Sequence, residues 1–125
     1  MDVQNIEQVE AFITKDGSEI RELLAPRNSC IVAQSLAEAR LPSGTSTTPH
    51  LHPKTEEIYY ILFGTGRMQL GQEVRDVGPG DAIAIPPGVA HQITNTSNAM
   101  LKFLCCCAPA YEHEDTVLLE MESPE

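Results

Sequence analysis

Turn-forming residues interrupt this chain roughly every 6 to 12 positions, and the runs left between them suit strands better than helices. Lys15-Asp16-Gly17, Ala25-Pro26-Arg27-Asn28, Pro42-Ser43-Gly44, Gly64-Thr65-Gly66, Gly78-Pro79-Gly80-Asp81 and Pro86-Pro87-Gly88 each combine residues that reach positive φ, fix φ or bond their own backbone. Between these breaks the side chains alternate. Glu57 to Phe63 is the strongest strand, because Ile58, Tyr59, Tyr60, Ile61, Leu62 and Phe63 all favour the pleated conformation. Ser18 to Leu24 alternates less regularly. Arg67 to Leu70 places Met68 and Leu70 together, and Gly71-Gln72 forms a tight hairpin into Glu73 to Val77. Ala82 to Ile85, Ala90 to Thr94 and Met100 to Cys107 follow. In the last of these Lys102 faces water, so Leu101, Phe103, Cys105 and Cys107 face inward.

Cys30 to Leu41 is less clear. Its Ala-rich half could pass for a helical turn, but no helix cap precedes it. Read as a strand, it puts the small side chains of Ala33, Ser35, Ala37 and Ala39 on one face with Ile31, and a strand is therefore expected. A short strand or arm before Thr14 and another from Thr116 to Met121 bring the total to about eight to ten, the count of an all-β sandwich or barrel. At 125 residues the chain suits one compact domain, 1–125, with one core.

Charge narrows the partners. Eighteen Asp and Glu against eight Lys and Arg give a formal charge of −10, which argues against nucleic acid and against an anionic membrane surface. The acidic residues that crowd the tail, from Glu112 to Glu125, read as solubilising charge. Cys30 and the run Cys105, Cys106, Cys107 form neither a metal-binding pair nor a secreted framework, and the run reads as buried reduced thiols. With no leader-like or membrane-spanning apolar run, a cytoplasmic location is expected.

The chemistry concentrates in two turn-bounded segments. His50 and His52 are two apart, so in extended chain both imidazoles share a face and can converge on one ion. Glu57 opens the next strand across the Pro53-Lys54-Thr55 bend and offers a hard anionic ligand. His91 begins another strand just after Pro86-Pro87-Gly88 and is expected to close the set from the opposite side.

These spacings resemble the two motifs of the cupin superfamily, and the small single-domain conserved-barrel cupins in particular. The first motif, Gly, five residues, His-x-His, a short gap, Glu, six residues, Gly, is met by Gly44, His50, His52, Glu57 and Gly64. The second, Gly, five residues, Pro-x-Gly, two residues, His, three residues, Asn, is met by Gly80, Pro86, Gly88, His91 and Asn95. Five such matches arise by chance at about three in ten million starts, and here two sets occur in order. The stretch from Ala108 to Thr116 is similar to the tail of conserved-barrel cupins. Six residues separate Glu57, not Glu56, from Gly64, and strand parity puts Glu57 on the inner face with Tyr59 and Ile61.

The resemblance implies a double-stranded β-helix, or jelly-roll, with motif 1 at 44–64 and motif 2 at 80–95. It also implies one divalent transition metal (Mn, Fe, Ni, Co, Cu or Zn) held by His50, His52, Glu57 and His91. Four protein ligands leave coordination positions open, which favours a metal-dependent enzyme, an oxygenase or an isomerase or lyase, acting on a small polar molecule. Tyr59 is the candidate general base; Ile61, Met68, Phe103, Cys105 and Cys107 are expected to line the pocket with it. A non-enzymatic barrel that binds or senses a small ligand or metal is the alternative. A homodimer is expected, with the N-terminal segment and the tail after Ala108 as candidates to pair with a second subunit. Gly88 is expected at the positive φ of a type II turn, Asn95 as a tie for its own turn, and His113 as a structural residue.

Overall fold

The computed structural model describes residues 1–119; Glu120 and Met121, assigned above to the last strand, lie outside them, as do the final acidic residues. Among the described residues eleven strands run in chain order: β1 Phe12–Ile13, β2 Glu19–Leu24, β3 Ser35–Leu41, β4 His50–Leu51, β5 Glu56–Phe63, β6 Gly66–Leu70, β7 Glu73–Val77, β8 Ala82–Ile85, β9 His91–Asn95, β10 Leu101–Ala108 and β11 Val117–Leu118. One 3-10 turn, His113–Asp115, precedes β11.

The strands form two antiparallel sheets, one of six in the order β1-β2-β3-β10-β5-β8 and one of five in the order β11-β4-β9-β6-β7. This is the all-β jelly-roll that the spacing of turns anticipates. Non-consecutive neighbours such as β3 beside β10 and β4 beside β9 show that the chain crosses between layers rather than meandering. Among the described residues, no helix is long and apolar enough to cross a membrane.

Strict alternation builds the core. Along β10 every second residue is buried, Leu101, Phe103, Cys105 and Cys107, while along β5 the buried set is Glu57, Tyr59 and Ile61. Of these, Leu101, Phe103, Cys105, Tyr59 and Ile61 meet Met68, Ile93, Leu41 and Val77 from neighbouring strands in one apolar cluster. Glu56, of opposite parity to Glu57, is exposed.

The turns perform as their chemistry demands. Gly88 sits at φ 77°, where its N–H donates to His52 O at 2.8 Å and the chain reverses between Pro86 and Val89. Gly64 sits at φ 84°, and a β-carbon there would meet Met100 O at 3.0 Å, so this turn admits only glycine without adjustment. Asn95 is fully buried. Its Nδ2 donates to Leu41 O and Ala99 O at 2.9 and 2.8 Å, and its Oδ1 accepts from the N–H and hydroxyl of Ser97. It thus ties the turn after β9 to the end of β3.

Two expectations need correction. The strand expected from Cys30 begins only at Ser35; Ile31 and Ala33 precede it, because the 25–29 turn is held by Asn28 Oδ1 accepting from Ala25 N–H and by Ser29 donating to Ala25 O. Among the described residues the last strand is two residues long. The N-terminal segment and the tail each add a short edge strand, β1 beside β2 and β11 beside β4.

Candidate metal centre

Register brings the histidines together. His50 in β4 is the direct cross-strand partner of His91 in β9, and His52 follows one residue past the end of β4. Their ring centroids are 4.2 Å apart for His50 and His91, 5.1 Å for His50 and His52, and 5.5 Å for His52 and His91. One ligand nitrogen from each lies within 4.8 Å of the others, and all three rings are buried. His91 therefore stands beside His50 in the same sheet, not opposite it. Glu57 is the residue that closes the cluster from the facing sheet, through β5.

Backbone carbonyls orient every ring. His50 Nδ1 lies 2.7 Å from Thr48 O, His91 Nδ1 3.1 Å from Val89 O, and His52 Nδ1 3.2 Å from Asp115 O. In each case the partner favours a proton on Nδ1, which leaves the Nε2 lone pair for the centre of the cluster. Glu57 Oε1 lies 3.4 Å from His52 Nε2 and 3.6 Å from His91 Nε2. These separations are too long for good hydrogen bonds.

Among the described residues, Glu57 Oε1 and His91 Nε2 are the two buried side-chain polar atoms with no hydrogen-bond partner. A buried polar atom left unpaired is costly, and here two of them face each other across a gap. A cation seated among these imidazoles and this carboxylate would satisfy both. The donor set, imidazole nitrogen with carboxylate oxygen, suits a first-row divalent metal.

The electrostatics agree. Burial pushes the Glu57 carboxyl up, but His52 and His91 beside it outweigh that and hold it at about 2. His52 is driven down by burial and up by Glu57 and Asp115, with a net rise. His50 is lowered, first by burial and then by His91. Burial, and then the Glu57 charge, pushes the phenol of Tyr59 well above its ordinary value.

Three residues that the spacing did not single out complete the site. Cys107 pairs with Glu57 across β10 and β5, and its thiol donates to Glu57 Oε2 at 3.2 Å. That contact pins one carboxylate oxygen and turns the other toward the histidines. Burial, then the Glu57 charge, keeps this thiol strongly protonated, so it remains a donor. Asp115 is not solubilising charge: its carboxylate accepts from Lys54 and Thr55 N–H at 3.0 to 3.2 Å, and its carbonyl braces His52. Asp16, read as a turn residue, places Oδ2 3.5 Å from His50 Nε2. The sequence signals were present but weak: a Cys at inward parity, and Asp in two turns.

A cavity of about 40 Å³ opens beside the cluster. Tyr59, Phe103, Cys105 and Cys107 line it as expected, and the small Ala37 and Ala39 leave the space. Ile61 and Met68 do not line it; they lie deeper, in the apolar cluster. His113 is exposed, with Nδ1 3.2 Å from the Tyr111 hydroxyl and away from the three-histidine cluster. All four cysteines are free, with Cys105 and Cys107 buried, Cys106 partly so and Cys30 exposed.

Comparison with known proteins bears on the family and the fold. A family model described as a cupin domain matches residues 37–107. An uncharacterized protein of Methanocaldococcus jannaschii is 53% identical over 91% of each chain. An oxalate-binding protein of Thermotoga maritima is 35% identical over 69% of this chain and 71% of its own. The crystal structure of a predicted oxalate decarboxylase from Thermotoga maritima superposes with a TM-score of 0.75 at 29% identity, covering 86% of this chain and 98% of the other.

Proposed function

The chain belongs to the cupin family, and from that premise we propose that it is a metal-dependent enzyme. One divalent transition ion, held by His50, His52, Glu57 and His91, serves the conversion of a small polar molecule in the barrel. The reaction is an oxygenation, or an isomerisation or elimination of the lyase type. The observation that carries this reading is the pair of orphaned buried atoms, Glu57 Oε1 and His91 Nε2, aimed at a common point beside a cavity. A purely structural site would be closed by protein on all sides, whereas this one adjoins free volume.

When bound, the ion supplies Lewis acidity or a redox centre. The chain's own residues do the rest. His50, His52 and His91 are held by carbonyls in one tautomer, and Cys107 fixes the rotation of the Glu57 carboxylate. Tyr59, with its proton held by burial, meets a ligand as a hydrogen-bond donor instead of the base suggested by its position alone. A cavity of about 40 Å³ has room for a few waters or a ligand of a handful of heavy atoms.

The oxalate-binding relative favours a second reading, a barrel that binds a small molecule without converting it. Elemental analysis of protein from unsupplemented cells, followed by a turnover screen on that metal form, separates the two. We expect one equivalent of a single transition metal in the wild type and none in His52→Ala; full retention in that variant counts against the ligand set.

A homodimer is part of the proposal. Ile58, Tyr60 and Leu62 leave 41 to 50% of their surface exposed along the outer face of β5, an apolar row suited to a second copy. Light scattering that gives a single species near the 13.7 kDa of one chain overturns it. Four free thiols suit a reducing, cytoplasmic setting.

A further inference from the structure

The wall of the cavity carries a carboxylate that the ligand set does not use. Asp16 sits in the turn between β1 and β2, and its side chain is only 14% exposed. Its Oδ1 is saturated: it accepts from the Thr14 hydroxyl at 2.7 Å, from Ser18 N–H at 2.9 Å and from the Ser18 hydroxyl at 2.6 Å. Its Oδ2 faces the cluster, 3.5 Å from His50 Nε2. The turn is anchored in place. Thr48 N–H donates to Asp16 O at 2.7 Å, and Lys15 Nζ donates to His113 O at 2.8 Å and Thr116 O at 3.3 Å.

The charge inventory of the cavity is one-sided. Among the described residues that line it, none is Lys or Arg, while Asp16, Glu22 and Glu57 all contribute carboxylates. Glu22 is matched from outside by Arg27, whose side chain is 61% exposed. Glu57 and Asp16 together match the two charges of a divalent ion among the histidines. Glu57 Oε1 and His91 Nε2, buried and unpaired, aim at the same place and mark where that ion and its ligand meet. An uncharged ligand leaves the buried charge balanced, and a dianion does not.

Resting on the metal-enzyme reading above, we propose that Asp16 sets the substrate class of this site. Its free oxygen accepts a hydrogen bond from a hydroxyl of a small, uncharged, metal-chelating molecule, and its charge turns away dicarboxylates. This chain therefore differs in ligand from a relative that binds oxalate, although the three histidines and Glu57 are in place.

The test uses the full-length protein loaded with Mn(II) and two probes of similar size, glycolamide, which chelates without losing a proton and keeps its hydroxyl, and oxalate. Metal content is measured first, then each probe is titrated by calorimetry into wild type and Asp16→Asn. In the wild type, preference for glycolamide over oxalate should exceed that of the free ion in water by about tenfold or more. In Asp16→Asn, oxalate should gain about tenfold and glycolamide should weaken severalfold. A wild-type preference equal to that of the free ion overturns the assignment, without recourse to the variant. So does an unchanged ratio in an equally loaded Asp16→Asn. Loss of the ion from Asp16→Asn alone overturns it too, by making Asp16 a holder of the metal. A wild type that takes up no ion defeats the metal reading itself, and this inference with it.

Discussion

The two ends of the barrel are built from the same strands and do opposite things. β5 supplies Glu57 and Tyr59 to the cavity end and Ile61 to the closed end; β9 supplies His91 to one and Ile93 and Asn95 to the other; β10 supplies Cys107, Cys105 and Phe103, then Leu101. At the closed end Leu41, Ile61, Ile93 and Leu101 are almost completely buried and fill the space between the sheets. At the cavity end Ala37 and Ala39 stand where larger side chains would meet. Two residues along a strand, about 6 to 7 Å, separate packing from chemistry. The closed end anchors the strands so that the other end can hold buried, unpaired polar atoms that a plain core would not tolerate.

That contrast can be broken from either side. His91→Ala should have the largest effect, with more than a hundredfold loss of metal affinity by chelator competition and a folded apo-protein by circular dichroism. If the ion remained bound, the ligand cluster would lie elsewhere. Ile93→Ala, two residues along the same strand, should do the reverse. It should cost about 2–4 kcal/mol in urea unfolding while the folded fraction keeps its full metal complement. A coupled loss of metal would show that the ends are not separable.

Smaller changes sharpen the picture. Cys107→Ala should lower metal affinity about tenfold with little change in Tm, because Glu57 loses the donor on Oε2, and Cys107→Ser should recover most of it. Acid should reveal Glu57 in the metal-free protein. Its folded pKa of about 2 lies below its ordinary value of 4.5, so its contribution is present above 4.5 and is lost as pH falls toward 2. Relative to Glu57→Gln, the wild type should lose on the order of 1 kcal/mol by about pH 3.5. His52 works with the opposite sign: its raised value adds stability at low pH that disappears as pH rises through it. Parallel acid curves for wild type and Glu57→Gln would remove Glu57 from the electrostatics of the cluster.

How much of this was readable beforehand follows from distance along the chain. The inward parity of Glu57, Tyr59, Phe103, Cys105 and Cys107 is local, since alternation needs only neighbouring residues. Gly88 as a turn conformer and the bonds of Asn95 to Ser97 and Ala99 are equally local, whereas the bond of Asn95 to Leu41 O spans 54 residues. The grouping of His50, His52 and His91 with Glu57 was legible because motif spacing within short segments carries it. Contacts between distant segments were not. Cys107 and Glu57 are 50 residues apart, and Asp115 and His52 are 63 apart. Nothing in the composition of a turn says that Asp16 will look into a cavity. Ile61 and Met68 have the right parity for a pocket but the wrong depth, and parity does not encode depth.

The sequence alone determined a turn-punctuated β-protein and four side chains of ligand type at spacings that face them inward, because strand period and turn chemistry act over a few bonds. Only the tertiary structure decided that His50 and His91 share one sheet and Glu57 lies in the other, that Cys107 bonds Glu57 and Asp115 bonds His52, and that Asp16 lines the cavity beside His50. Those outcomes depend on which strands become neighbours when two sheets close on each other, and that is settled by burial of the whole core at once.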